Sequence, residues 1–219
     1  MRTVVADGAS ITPGKIVCVG KNYLAHIREM GGSGSQSEPT IFMKPNSAIA
    51  QDTDNVTIPS DFGLLHHEVE LCFIVSRTCR NVKEEDARIS IEAWGVGIDF
   101  TLRDIQGEAR KIGGPWTISK CFDGAAVFGE FVQPHRLFDP LDLQIKLTVN
   151  HELRQSASTK QMIFSPVDVL CYVSKFMTID PGDIFMCGTP EGVREVVDGD
   201  LLKAEITDLQ PLEFKVLRP

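Results

Sequence analysis

The stretch Leu64-Leu65-His66-His67-Glu68-Val69-Glu70-Leu71-Cys72-Phe73-Ile74-Val75 decides how the rest of the sequence is interpreted. From Val69 onward, apolar and β-branched residues predict a buried strand. Glu68 and Glu70 stand at its start, and their spacing of two places both side chains on one face of a strand. Two like charges on a largely apolar strand favour a cation between them. An isolated E-x-E is also typical of the solvated face of an edge strand, so the pair alone leaves both interpretations open.

The overall composition predicts a globular protein with a sizeable core. The chain has 219 residues, of which 42% are hydrophobic, enough for one large domain or two small ones. The formal net charge of −8 argues against a nucleic-acid or anionic-membrane binder, because such proteins need a broad cationic surface. No apolar run approaches the ~20 residues that span a bilayer. An anionic substrate would therefore need positive charge supplied locally.

The cysteine pattern predicts free thiols in a reducing, cytoplasmic environment. No C-x-x-C pair is present, and the chain opens without a cationic start followed by an apolar signal region. Most of the cysteines stand in apolar runs, where a cysteine usually behaves as a small buried hydrophobe. The six are Cys18, Cys72, Cys79, Cys121, Cys171 and Cys187.

Short apolar segments separated by glycine, proline and asparagine turns predict one strand-dominated α+β domain with a few helices. No internal repeat or low-complexity block divides the chain. The main predicted strands are residues 15–20, 39–45, 69–75, 91–101, 143–149 and 184–188.

Three segments have the residue spacing that is typical of helices. Residues 22–30 predict a helix that Asn22 caps, and residues 102–112 predict a polar one. Residues 167–176 predict a third helix, which begins at Ser165-Pro166.

Two loops carry residues of interest. The glycine- and serine-rich run at 31–37 predicts a loop beside the first helix and is a candidate lid. Lys120 is expected in a loop that follows Pro115-Trp116.

A third acid completes a possible metal site. Asp99 ends the apolar, glycine-marked segment 91–101, so it joins Glu68 and Glu70 as a carboxylate near the end of an apolar strand. Oxygen-only sets of this kind suit a hard cation such as Mg²⁺ or Mn²⁺ and not zinc. His66 and His67 remain possible orienting groups around such a site.

His26 and Glu29 form a candidate acid–base pair. They are three residues apart on a predicted helix, so they share a face, and the carboxylate could fix the imidazole for general-base work on a water. For an isolated pair, a solvent-facing histidine with a helical neighbour is the commoner explanation.

Four polar residues beside apolar or glycine-rich segments could contact an anionic substrate. Taken singly, each is more often a solvated surface residue. They are Lys44, Arg103, Gln106 and Lys120.

These segments together resemble the fumarylacetoacetate hydrolase family, in particular its short acylpyruvase and oxaloacetate decarboxylase branch. The similarity runs from Lys15 to about Leu217 in an ordered series of motifs. The series is Val19-Gly20-Lys21-Asn22-Tyr23, His26-x-x-Glu29-Met30-Gly31, Phe42-x-Lys44-Pro45, Ile58-Pro59, His66-His67-Glu68-Val69-Glu70-Leu71, Gly97-x-Asp99-x-Thr101-x-Arg103-Asp104-x-Gln106 and Gly188-Thr189-Pro190-x-Gly192-Val193.

The resemblance implies roles for ten side chains. The implied metal ligands are Glu68, Glu70 and Asp99, the water-activating dyad is His26 with Glu29, and the catalytic lysine is Lys120. The implied substrate contacts are Lys44, Arg103, Gln106 and Thr189.

The resemblance also implies a fold and an assembly. The expected fold is the family's mixed β-sandwich roll with peripheral helices, in a homodimer. Residues 1–14 are expected to be a short N-terminal extension and residues 15–219 a single catalytic domain. The loop 32–38 matches no motif of the family.

The leading hypothesis is Mg²⁺- or Mn²⁺-dependent hydrolysis of a C–C bond in an acylpyruvate such as acetylpyruvate or fumarylpyruvate. The cation would act as a Lewis acid for the enolate that leaves. His26, held by Glu29, would deprotonate water, and Lys120 with Gln106 would stabilise the oxyanion.

Other functions stay open at this point. The same cation and enolate would serve decarboxylation of oxaloacetate or isomerisation of a 2-hydroxy-dienedioate. A non-catalytic binder of small acids is a rival of another class, although the chain retains His26, Glu29 and Lys120. In each case the expected partner is a small 2-oxo acid, with no nucleic acid and no membrane.

Overall fold

The computed structural model describes residues 1–34, 36–133 and 139–219, and within them fifteen strands and five α-helices. The strand-dominated α+β class predicted from the sequence is confirmed. The strands are β1 (Val4–Ala6), β2 (Ala9–Ile11), β3 (Ile16–Gly20), β4 (Thr40–Lys44), β5 (Asn55–Thr57), β6 (Leu65–His66), β7 (Val69–Val75), β8 (Ile91–Asp99), β9 (Thr101–Leu102), β10 (Ala126–Phe128), β11 (Gln144–Val149), β12 (Glu152–Ser158), β13 (Ile184–Met186), β14 (Leu201–Ile206) and β15 (Leu212–Leu217).

The helices are short and lie between the strands. They are α1 (Leu24–Glu29), α2 (Glu84–Ser90), α3 (Arg103–Lys111), α4 (Thr117–Lys120) and α5 (Pro166–Phe176), with single 3₁₀ turns at Asn46–Ala48, Ser60–Phe62 and Thr159–Gln161. No helix in the described ranges has the length and apolar character needed to cross a membrane.

A six-stranded mixed sheet forms the centre of the molecule, in the order β10-β8-β7-β13-β3-β4. Strand β7 is buried along its whole length because both faces of this sheet are covered. Leu71 and Phe73 face one apolar cluster, whereas Cys72 and Ile74 face the other. A strand that is covered on both faces has a continuous apolar run instead of alternation, as the sequence of β7 has.

The second sheet has five strands in the order β12-β11-β14-β15-β5 and covers one face of the first. Its strands alternate in burial, and inward residues such as Leu147, Leu202 and Phe214 join the larger apolar cluster. Asn150 and His151, both at positive φ, form the tight turn between β11 and β12.

The N-terminal residues pack against the other face of the central sheet. Strands β1 and β2 form a hairpin, and Asp7 N–H donates to the Phe131 carbonyl at 2.9 Å. Val4 and Ala6 join the smaller apolar cluster together with Phe131. The extension at residues 1–14 is therefore in contact with the rest of the chain, and a domain boundary at residue 15 stays a prediction.

Helix α5 begins where the sequence predicts. The Ser165 hydroxyl accepts from Asp168 N–H at 3.1 Å, and the Asp168 carboxylate accepts from Ser165 N–H at 2.9 Å, which completes a capping box.

Two local predictions are wrong. Helix α1 is capped at Tyr23 and not at Asn22, because the buried Asn22 amide instead donates to the carbonyls of Phe164 and Cys187. Lys120 does not lie in a loop; it is the last residue of the short helix α4, which follows Trp116.

Candidate active site

Three carboxylates meet on one face of the central sheet. Glu68 immediately precedes β7 and Glu70 lies within it, and pairing of β7 with β8 sets Ile98 opposite Val69. This register places Asp99 beside Glu68, with Asp99 N–H donating to the Glu68 carbonyl at 2.9 Å. Gly97 permits the close approach of the two strands, since a Cβ there would lie 2.5 Å from Cys72 Sγ.

The three acids are compact and enclosed. One carboxylate oxygen from each of Glu68, Glu70 and Asp99 lies within 4.8 Å of the others. Their exposed fractions are 5%, 2% and 0%, which excludes the solvated edge-strand interpretation of the E-x-E pattern.

Three cations surround two of these acids. The Lys120 ammonium bridges Glu68 Oε2 at 2.7 Å and Asp99 Oδ2 at 2.6 Å. The Arg103 guanidinium pairs with Glu68, and Lys44 Nζ lies 2.7 Å from Asp99 Oδ1. Glu70 differs from its neighbours, because it forms no ion pair within the described ranges and accepts from the Gly188 N–H at 2.6 Å.

The pKa values of Glu68 and Glu70 are shifted in opposite directions. Burial would raise the pKa of Glu68, but the positive charges of Lys120 and Arg103 outweigh it and hold that pKa below its usual range. The pKa of Glu70 is raised well above its usual range, first by burial and then by the charges of Asp99 and Glu68. Burial opposes the charged form of Lys120, yet Asp99 and Glu68 raise its pKa.

The residues fit a hard divalent cation. Glu70 is a buried carboxyl with no cation partner among the described residues, and two further carboxylates within 4.8 Å raise its pKa. A cation held by these three groups would remove that repulsion, and oxygen ligands are those that Mg²⁺ and Mn²⁺ prefer.

His26 and Glu29 are brought together as the sequence predicts. His26 Nδ1 lies 3.2 Å from Glu29 Oε2, and Glu29 Oε1 accepts from the Gly192 N–H at 3.0 Å. The carboxylate therefore fixes the imidazole through Nδ1 and leaves Nε2 available. His26 borders the same cavity as the three acids, whereas Glu29 does not border it.

The cavity has a volume of about 200 Å³ and is lined by helix α3, the end of β3 and the loop before residue 35. Arg103, Gln106 and Arg110 lie three and four residues apart on α3, so all three face the cavity. Arg103 also donates to Gln106 Oε1 at 2.6 Å. Gly32, Ser33 and Gln36 of the candidate lid border the cavity, and Ser35 lies outside the described residues.

The implied substrate contacts fall into two groups. Arg103, Gln106 and Thr189 border the cavity, as does Lys120. Lys44 does not border it; this residue is 1% exposed and its ammonium contacts Asp99 and the Lys120 carbonyl. A direct contact between Lys44 and substrate stays a prediction, since the structure places Lys44 behind the acids.

One buried polar residue next to the site, Gln155, was not predicted to act there. Gln155 of β12 lies between His67 and Thr189, and its side chain is bonded to both. Burial lowers the pKa of His67 to about 4, and burial together with Arg103 lowers that of His66 to about 4. The sequence signal for Gln155 is that it lies two residues before the apolar Ala157. Side chains two residues apart on a strand lie on the same face, so both are expected to face inward.

Comparison with known proteins confirms the resemblance. The family profile described as "Fumarylacetoacetate (FAA) hydrolase C-terminal" matches residues 15–217. The chain belongs to the fumarylacetoacetate hydrolase family. It is therefore an enzyme of that family, and the three buried acids stand at the positions that the sequence motifs imply for metal ligands.

Two curated relatives of this fumarylacetoacetate hydrolase family chain cover almost its whole length. The mitochondrial oxaloacetate tautomerase FAHD1 of Bos taurus is 42% identical over 204 residues, which are 93% of this chain and 92% of the relative. The oxaloacetate tautomerase YcgM of Escherichia coli K12 is 43% identical over 189 residues, 86% of each chain.

A solved structure of the family supports the fold and the kind of metal. Fumarylpyruvate hydrolase from Pseudomonas aeruginosa, in complex with Mn²⁺ and pyruvate, superposes with a TM-score of 0.92 at 33% identity. The match covers 99% of this chain and 96% of that one, so the expected family roll is confirmed. Its bound Mn²⁺ and the acids described above indicate a divalent-cation site, without distinguishing Mg²⁺ from Mn²⁺.

Proposed function

We propose that this enzyme interconverts the enol and keto forms of oxaloacetate or a closely similar 2-oxo dicarboxylic acid. The observation that carries the proposal is the buried triad of Glu68, Glu70 and Asp99 at the base of a cavity lined with cations. Two relatives that are named oxaloacetate tautomerases, at 42% and 43% identity, support this choice of substrate.

The chemistry follows from the groups around the triad. A divalent cation, when bound by these acids, supplies Lewis-acid stabilisation of the negative charge on an enolate. Arg103 and Gln106 hold the substrate carboxylate from the α3 wall. His26 Nε2, facing the cavity, removes or returns the proton at carbon while Glu29 fixes the ring.

Two further cations support a substrate with a second carboxylate. Lys21 and Arg110 border the cavity, and neither side chain has a polar partner in the described part of the chain. Lys21 has a φ of 60°, a conformation that costs a residue with a Cβ roughly 1–2 kcal/mol. Backbone strain beside a cavity is typical of functional sites.

The test follows the loss of enol absorbance of oxaloacetate with Mg²⁺ and with Mn²⁺. We expect the unaltered protein to accelerate the conversion of enol to keto oxaloacetate only when metal is present. We expect Asp99→Asn to lose this acceleration. Glu92→Gln is the matched control, since Glu92 is an exposed acid on the same strand β8. Equal rates with and without protein would contradict the proposal.

Hydrolysis of an acylpyruvate is the second candidate function. The His26–Glu29 pair favours it, because this geometry suits activation of a water. The fumarylpyruvate hydrolase structure supports it as well. Parallel assays of acetylpyruvate, fumarylpyruvate and oxaloacetate, with pyruvate release as the readout, separate hydrolysis and decarboxylation from tautomerisation.

A titration with oxalate, an enolate mimic, tests the rival of a non-catalytic acid binder. We expect oxalate binding that requires Mg²⁺ or Mn²⁺, together with turnover of oxaloacetate. Metal-independent binding without turnover of any of the three substrates would favour the binder.

We also propose a homodimer and a cytoplasmic location, as expected from the sequence. The exposed apolar residues Ile112 and Ile118, at 84% and 70%, support an interface between two copies near α3 and α4. Light scattering coupled to gel filtration should give twice the mass of one chain. A monomeric mass at all concentrations would contradict the dimer.

A further inference from the structure

We propose that Gln155 is a positioning residue that makes the Thr189 hydroxyl a hydrogen-bond donor to the substrate. The inference rests on the proposed function, because it assigns the polarity of one group in the same cavity. Gln155 is 1% exposed on β12, and Thr189 borders the cavity and is 3% exposed.

The orientation of the Gln155 amide is fixed by the backbone. Val69 N–H can only donate, and it lies 3.1 Å from Gln155 Oε1, so this atom is the acceptor. The Pro190 carbonyl can only accept, and it lies 2.8 Å from Gln155 Nε2. His67 Nδ1, 2.9 Å from the same Oε1, therefore carries a hydrogen.

This orientation fixes the role of the Thr189 hydroxyl. The second hydrogen of Gln155 Nε2 points to Thr189 Oγ1 at 2.8 Å, so the hydroxyl oxygen accepts there. The hydroxyl hydrogen then has to point elsewhere, and the cavity is open to it. The complementary ligand atom is an acceptor, such as the oxygen of a carboxylate or 2-oxo group.

The segment that carries Thr189 is held on both sides. Gly188 N–H donates to Glu70 at 2.6 Å, and Gly188 has a φ of 89°, with a Cβ there lying only 2.7 Å from that of Asn22. Pro190 follows with its carbonyl bonded to Gln155. The donor is therefore fixed relative to the acids that would hold the cation.

Gln155→Glu is the informative substitution, because it keeps the shape and removes the donor. One new carboxylate oxygen can still accept from Val69 and His67. The other faces both Thr189 and the Pro190 carbonyl, and the Pro190 carbonyl loses its donor. The Thr189 hydroxyl would turn to donate to this carboxylate oxygen and so withdraw its hydrogen from the cavity. Gln144→Glu is the matched control, since Gln144 is exposed on the neighbouring strand β11.

The experiment is a calorimetric titration with oxalate at saturating Mn²⁺. We expect Thr189→Val and Gln155→Glu each to weaken oxalate binding about 10-fold or more, as loss of a hydrogen bond to a charged group does. Gln144→Glu should bind like the unaltered protein, and Thr189→Ser, which keeps the hydroxyl, should recover most of the affinity that Thr189→Val loses. The double variant should bind no more weakly than Thr189→Val alone, because both changes remove the same donor.

Several results would overturn the inference. Wild-type affinity in Thr189→Val means that the hydroxyl donates nothing to the ligand. Additive losses in the double variant mean that Gln155 acts by a general structural effect. If Gln155→Glu does not fold, Gln155→Met replaces it, with the same non-additivity expected. Failure of the unaltered protein to bind oxalate with Mn²⁺ overturns the proposed function as well, which separates that case from the others.

Discussion

The Lys120 ammonium lies 2.6 Å from Asp99 Oδ2, so a side-chain cation contacts one of the acids that fit a metal. It also contacts Glu68 at 2.7 Å and is itself 2% exposed. Burial of charges without partners is costly, and here the lysine and the acids stabilise each other. A metal bound by the three acids would therefore compete with Lys120 for two of the same carboxylates.

Lys120→Met should separate the stabilisation that the Lys120 ion pairs provide from their competition with a metal. Removing one partner of a buried ion pair costs about 3–5 kcal/mol, so we expect the metal-free variant to unfold at a lower temperature. Mn²⁺ should stabilise the variant more than it stabilises the unaltered protein, because no ammonium competes for Glu68 and Asp99. Thermal unfolding with and without Mn²⁺ measures both. An equal Mn²⁺-induced rise in Tm would contradict competition.

Glu70→Gln should abolish stabilisation by metal while preserving the fold. The new amide oxygen can still accept from Gly188 N–H, but one ligand charge is lost. At a metal concentration 100 times the Kd, binding stabilises the native state by about 2.7 kcal/mol, and we expect this gain to disappear. The exposed acid Glu92 provides the control variant, Glu92→Gln. An unchanged metal-dependent Tm in Glu70→Gln would rule this acid out as a ligand.

His26→Gln should lower kcat by about 10²–10⁴ without weakening oxalate binding. The reason is that His26 moves a proton, whereas the acids and Arg103 hold the ligand. Glu29→Gln should lower kcat less. The His26 imidazole then loses the carboxylate that orients it but keeps the Nε2 atom that moves the proton. Full acylpyruvate cleavage in His26→Gln would show the assignment of the dyad to be wrong. Loss of cleavage alone, with tautomerisation retained, would restrict the dyad to hydrolysis.

Arg110→Gln should raise the KM for oxaloacetate about 3- to 5-fold, the effect of an exposed ion pair worth up to about 1 kcal/mol. Oxalate binding should not change, since this ligand is too short to extend toward the mouth of the cavity. Lys111→Gln is the matched control, because Lys111 is the adjacent cation and pairs with Glu108. Equal effects of the two variants would indicate general electrostatics and not a contact with a second carboxylate.

Ser165→Ala should lower the free energy of unfolding by about 1 kcal/mol, because it removes the N-cap of α5. Chemical denaturation measures the change. Ser10→Ala, at an exposed position of β2, is the control and should leave stability unchanged. A neutral effect of Ser165→Ala would mean that packing alone holds this helix.

The spacing of residues along the chain predicted those parts of the site that depend on the repeat of a strand or of a helix. Glu68 and Glu70 share a face because side chains alternate along a strand, and the run from Val69 onward indicated burial. The pairing of His26 with Glu29 followed from helical spacing.

Residue spacing did not predict hydrogen bonds to partners that are far away in the sequence. Asn22 has the chemistry of a helix cap, but carbonyls from residues 164 and 187 take its amide instead. Residue spacing also did not indicate that Lys44 contacts Asp99, and its contact with substrate stays a prediction.

The sequence by itself determined the family, the strand-dominated class and the set of acids, because these depend on residue type and short-range period. Only the tertiary structure decided which groups neutralise those acids and which face the cavity. The β7–β8 register brings Asp99 beside Glu68, and β12 brings Gln155 against Thr189. Such contacts depend on how strands that are remote in the chain are aligned, and no local pattern records that alignment. For Glu68-Val69-Glu70, the fold turned an ambiguous pair into part of a buried cluster of three acids that fits a divalent cation.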